Sequence, residues 1–138
     1  MNIKFNRITN IVNVFSFTGG FTAVNFQDIV RELNEQLWQL ELNRWYFTII
    51  DCSGVDIPEE FLNDLVIKCE QPGNVHPDFY HRYVGVDEKI LTPAAQKAMK
   101  NTLLCQNIEE AMESFDLTGR RRVTFLAKLG NTHIYDDI

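Results

Sequence analysis

The sequence predicts one α/β domain built on a central, mixed and mostly parallel β-sheet with about four helices. Three observations carry that expectation. Segments rich in β-branched and aromatic residues alternate with segments of helical period along the chain. One of them, Trp45-Tyr46-Phe47-Thr48-Ile49-Ile50, is apolar without strict alternation, which suits a strand covered on both faces. No internal repeat and no linker marks a second domain across the 138 residues. A chain of that length buries roughly two thirds of its unfolded surface without metals or disulfides.

In order, residues 2 to 6 and 11 to 18 read as strands joined by the polar Arg7-Ile8-Thr9-Asn10, a starting hairpin that Gly19-Gly20 ends. From Asn25 the period becomes helical. Phe26, Ile29, Val30, Leu33, Leu37 and Leu40 fall on one stripe, with Asn25 as cap, Asp28 in the first turn and an end near Leu42-Asn43. The apolar run to Ile50 follows as the central strand. Asp51-Cys52-Ser53-Gly54-Val55-Asp56 is then a polar turn, and Pro58 suits the first position of a helix whose Glu59 and Glu60 complement its dipole. Leu62, Leu65, Val66 and Cys69 form its buried stripe, and Gln71-Pro72-Gly73-Asn74 ends it.

Beyond a loop through His76-Pro77-Asp78, the segment from Arg82 to Val86 reads as a strand. Thr92-Pro93 starts a helix with a cap and a first-turn proline, and Ala94, Ala95, Ala98 and Met99 let it lie close on a sheet. Leu103-Leu104-Cys105 is a short strand. Asn107 to Glu110 has capping-box spacing before a last amphipathic helix bearing Ile108, Ala111, Met112 and Phe115, closed by Thr118-Gly119. The tail, 118 to 138, carries Arg120-Arg121-Arg122 and a strand-like Val123 to Ala127. It reads as an extension that adds a strand to the domain formed by residues 1 to 117.

The formal net charge of -6 argues against a nucleic-acid or anionic-membrane partner. Met1 to Arg7 lacks the apolar core of a signal peptide, and no apolar run approaches the ~20 residues of a membrane span, so the expectation is a cytoplasmic protein with no membrane insertion. Cys52, Cys69 and Cys105 form no CxxC pair and read as reduced thiols, with no zinc site.

The chemistry-bearing motifs are sparse. Asp51-Cys52-Ser53-Gly54 offers a nucleophile, but no histidine stands at a recognisable spacing from it, and the simpler reading is a turn capped by Asp51 and Ser53 with Cys52 packed inside. Glu59, Glu60 and Asp64 gather where a helix dipole attracts acids without any metal. His76, Asp78 and His81 follow no established ligand spacing. Gly19-Gly20 lacks the rest of a phosphate-binding loop. Arg120-Arg121-Arg122 reads as a solvated strand edge. Phe15, Phe17, Phe21, Phe26, Trp38, Trp45 and Phe47 would line an apolar pocket, or more simply fill the core.

The order of elements and the stretch from Ile49 to Asp56 resemble the STAS superfamily, the domain of sulfate transporters and anti-sigma-factor antagonists, and within it the sporulation-antagonist-like branch. There a β-hairpin, a helix, a central strand ending in D-L-S-G-V and repeated strand-helix units make one domain. In the antagonists that motif is followed by D-S-S-G or a close variant, whose first serine, at the start of the next helix, is phosphorylated by a partner kinase. Here the region reads Ile57-Pro58-Glu59-Glu60-Phe61, and ungapped counting puts Glu60 at that serine. The hydroxyl is missing. A fixed carboxylate imitates part of a phosphate's charge, and helix-dipole stabilisation accounts for Glu60 equally well.

The resemblance implies a non-enzymatic regulatory domain with no cofactor, binding a protein partner through Asp51, Ser53, Gly54, Asp56, Glu59 and Glu60. The alternative is a small carrier for a lipid or other apolar ligand, suggested by the aromatic content and by the branch's kinship with lipid-transfer domains. An exposed edge strand in the tail offers a place for two chains to pair as a homodimer.

Overall fold

The computed structural model describes residues 1–8, 12–42, 47–70, 80–99 and 102–115. Five strands, β1 (Asn2–Arg7), β2 (Val12–Thr18), β3 (Phe47–Asp51), β4 (Tyr80–Val84) and β5 (Thr102–Cys105), form one sheet in the order β1-β2-β3-β4-β5. The first pair is antiparallel and every later pair is parallel. Helices α1 (Ala23–Leu42), α2 (Glu59–Cys69) and α3 (Pro93–Ala98) join successive parallel strands, and α4 (Ile108–Ser114) follows β5. The expected mixed, mostly parallel α/β domain with four helices is therefore what the described residues form.

Burial separates the two faces of the sheet. Phe15, Phe17, Ile50 and Tyr83 share a core with Phe26, Leu33, Leu62, Leu65, Val66 and Ala95 of α1, α2 and α3. Val12, Val14, Phe47, Ile49 and Val84 point the other way and pack with Ala111 and Phe115 at α4. This two-sided burial explains why β2 and β3 show no clean alternation. The described aromatics pack on one another: Phe26 meets Phe61 at 5.0 Å and Phe47 meets Phe115 at 4.4 Å between ring centres.

Several element ends fall elsewhere than the sequence suggests. Helix α1 begins at Ala23, so Asn25 lies inside the first turn and accepts a hydrogen bond from the Thr22 hydroxyl instead of capping the helix. Asp28 is then past the first turn and pairs with Arg31 at 2.8 Å. Pro58 is the residue before α2, not its first; its extended ψ of 150° sets the chain's entry while its carbonyl accepts from Phe61 and Leu62. Strand β4 starts at Tyr80 and stops at Val84, because Gly85 turns the chain out of the sheet with a φ of 83°. A short 3-10 turn over Glu88–Ile90, capped by Asp87, was not legible as an element. Thr92 and Asn107 cap α3 and α4 as expected, accepting from Ala95 at 3.2 Å and Glu110 at 2.8 Å. Trp45, His76, Asp78, His133, Arg120 to Arg122 and the whole 118 to 138 tail lie outside the described residues.

Candidate functional site

The loop after the central strand is built by side chains of that strand and held by two glycines. Asp51 ends β3, and the Cys52 N–H donates to the Val84 carbonyl at 2.8 Å, carrying the strand pairing one step past β3. The Asp51 carboxylate then folds over the turn, accepting from the Ser53 backbone N–H at 2.9 Å and the Ser53 hydroxyl at 2.5 Å. A β-carbon on Gly54 would stand 2.8 Å from the Phe17 carbonyl oxygen, and one on Gly85 would stand 2.7 Å from the Ser53 nitrogen. The turn is thus gripped between the ends of β2 and β4, and only glycine fits either contact. Val55 and Ile57 bury their side chains, so Asp56 between them faces solvent. Glu59 and Glu60, both exposed, open α2 where its unpaired N–H groups favour negative charge.

All six residues expected at the site, Asp51, Ser53, Gly54, Asp56, Glu59 and Glu60, therefore fall at the carboxyl end of the central strand in one short stretch. Their roles differ. Asp51 and Gly54 shape the turn, while Ser53, Asp56, Glu59 and Glu60 reach solvent. Cys52 faces inward at 3% exposure. Burial and then the Asp51 charge push its thiol far above the ordinary range, the reverse of what an activated nucleophile needs. Among the described residues no group of three His, Cys, Asp or Glu side chains is arranged to hold a metal, and no helix is long and apolar enough to cross a membrane.

At the opposite end of the strands lies a cluster that sequence reasoning missed. Glu70, just past the last residue of α2, buries its carboxylate and accepts on one oxygen from His81 Nδ1 at 3.1 Å, the Tyr83 hydroxyl at 3.1 Å and the Thr102 hydroxyl at 2.9 Å. Burial alone would raise the Glu70 pKa; the His81 charge and the hydrogen bonds from His81, Thr102 and Tyr83 outweigh it and hold the carboxyl below its usual value. Burial and the same carboxylate push the Tyr83 hydroxyl well up. One signal for Glu70 was available, since it stands four residues after Val66 on the buried stripe of α2. Beside this cluster lies an open groove of about 420 Å³, lined by Glu88, Leu91, Gln96, Met99, Thr102, Leu103 and Leu104 and polar and apolar in about equal parts.

No protein-family model matches the sequence, and no curated protein matches it. Solved structures do match. One is RsbS of Moorella thermoacetica, in a serine-to-glutamate variant, at a TM-score of 0.55 and 12% identity over 83% of this chain and 94% of that one. RsbS is a STAS-domain anti-sigma-factor antagonist. The present chain has the STAS-like fold that its strand order and its Asp51 to Asp56 stretch suggested.

Proposed function

We propose that this STAS-like domain is a regulatory protein-interaction module that binds its partner through the turn and helix start from Ser53 to Glu60. The observation that carries the reading is the clamped turn: a short exposed segment is held rigid by Gly54 against β2 and by Gly85 against β4, at the carboxyl end of the central strand. A surface fixed before binding loses little entropy on docking. Likeness of fold to an anti-sigma-factor antagonist supports the regulatory half of the proposal. Glu60, at the position that ungapped counting gives to the antagonists' serine, would supply a permanent negative charge there and remove the need for phosphorylation. Partner binding is then constitutive instead of switched at that position.

The test is native mass spectrometry of the chain purified from its own host. A second protein should accompany it and be lost from the Asp56→Lys/Glu60→Lys double variant. An unaccompanied wild-type chain, or a complex indifferent to both substitutions, would sink the reading.

Carriage of an apolar small molecule is a second reading, and the observation favouring it is the groove beside β5. It does not rest on the aromatic side chains, since Phe15, Phe17, Phe26 and Phe47 are buried at 0 to 1% exposure within the core. The same spectra test it: a small mass lost on denaturation, and lost from Leu104→Asp, would support carriage.

A further inference from the structure

We propose that two copies of this chain pair through the outer edge of β5, antiparallel about a two-fold axis beside Leu103, so that their sheets become one. This pairing is independent of any partner bound at the carboxyl end of β3. Strands β1 and β5 are the two borders of the described sheet, and they are built differently. Strand β1 carries Lys4 and Arg7, charges of the kind that discourage a further strand from pairing. Strand β5 reads Thr102-Leu103-Leu104-Cys105, with neither charge nor proline. It pairs with β4 on one side, and no described residue pairs with its other side. Its Leu103 is 52% exposed.

The chain's own course turns away from this border. Helix α4 packs over β5, β4 and β3, and Phe115 at its end meets Phe47 of β3 at 4.4 Å, two strands in from the edge. Because α4 lies on the face opposite α1, α2 and α3, a crossover through it to a parallel strand outside β5 would have the opposite hand to theirs. Nearly all such crossovers share one hand. The edge is left for a second chain, and its pattern fits its own copy. Thr102 and Leu104 lie on the face of Tyr83, and Leu103 lies with Cys105 on the other. With Leu103 opposite its counterpart, the two exposed leucines cover one another on the α4 face. Thr102 then stands opposite the second copy's Leu104 on the other face, where the groove holding Leu91, Gln96 and Met99 flanks the pair. A charged partner strand would find no counter-charge on these four residues, whereas a second copy brings none. So short an edge falls below the roughly 1,200–2,000 Å² of a stable interface, so the dimer is weak. A net charge of -6 on each copy opposes it at long range, and added salt relieves that repulsion.

Sedimentation velocity of the full chain should show its mass rising from one chain to two, with a midpoint of roughly 10–200 µM that falls as salt is added. Leu103→Lys sets two ammonium groups against each other and should weaken the dimer about tenfold or more, with an unchanged circular dichroism spectrum because the side chain is exposed. A short bis-maleimide should join two chains carrying Leu103→Cys above the midpoint and leave chains carrying Val24→Cys single, although Val24 on α1 is 97% exposed. If Leu103→Lys does not fold, that contrast in linkage decides the matter. A single chain at every concentration up to about 1 mM overturns the inference. So does a dimer that salt weakens, that Leu103→Lys leaves intact, or that Val24→Cys links as readily as Leu103→Cys, since each places the contact on another surface.

Discussion

Gly85 approaches Ser53 so closely that a single added methyl group would lie 2.7 Å from the Ser53 nitrogen. Gly85 also holds a φ of 83°, which L side chains rarely adopt. Both effects act against any substitution. Gly85→Ala should cost about 2–4 kcal/mol in urea unfolding. Gly20, with open space around its would-be β-carbon and no such φ, is the control. Gly20→Ala should change stability by no more than about 0.5 kcal/mol. Equal effects at the two glycines would remove the clamp from the account of the loop.

Acid stability should depend on Glu70. Its carboxyl is held below its ordinary 4.5 in the folded chain. A group with a depressed folded pKa contributes stability that is fully present above the unfolded value and is lost as pH falls through the folded one. Unfolding free energy should therefore decline from about pH 4.5 downward. In E70Q that part of the decline should vanish. The substitution should also cost about 2–3 kcal/mol near neutrality, because the buried donors of His81, Tyr83 and Thr102 lose the carboxylate oxygen they share. Urea titrations of both proteins across the acid range check this, and parallel acid limbs would contradict it.

Asn63 ties α2 to the segment that enters α3. Its side-chain amide donates to the carbonyls of Glu59 and Ile90, each at 2.9 Å, and accepts from the Thr92 N–H at 2.7 Å. Asn63→Leu has nearly the right size but orphans the Ile90 carbonyl and the Thr92 N–H. A loss of about 2–4 kcal/mol is expected. Amide exchange at Thr92 should accelerate well beyond the global change, since that donor loses its acceptor. Unchanged protection there would mean that another group holds it.

Cys52 should be no more reactive than Cys69. Both are buried, and burial pushes both thiols up. Labelling by a maleimide in the native state should be slow at each and should reach completion only on unfolding. Fast modification confined to Cys52 would reopen the question of a nucleophile.

What the sequence disclosed was what neighbouring residues decide. Thr92-Pro93 and Asn107 to Glu110 mark helix starts because the capping groups lie within three residues of the N–H groups they accept from. The apolar stripe of α1 and the run into Ile50 are legible because each is one element's own periodicity. Errors arose where a distant group decides the outcome. Strand β4 ends at Val84 and not Val86 because Gly85 must yield space to Ser53, more than thirty residues earlier. Asn25 has the chemistry of a cap, yet the helix begins two residues before it, at Ala23, and Asn25 Oδ1 accepts from the Thr22 hydroxyl instead. The Glu70, His81, Tyr83 and Thr102 cluster joins three elements, and only the pairing of β4 with β5 brings it together. The six loop residues stand together at the end of the central strand because they are contiguous in the sequence, which a reading of neighbours can see.

The strands stand in space in the order in which they occur along the chain. A ribosome releasing this protein therefore never asks a new strand to insert between two that are already paired. Each arrives at an open edge with its neighbour in place, starting from a hairpin that needs only local contacts. The same arrangement makes every partly synthesised chain a smaller sheet with a constant border at β1 and a growing border at the newest strand. During synthesis that border moves from β2 to β5, the last strand among the described residues, and each strand that arrives covers an edge through which two nascent copies would stick together.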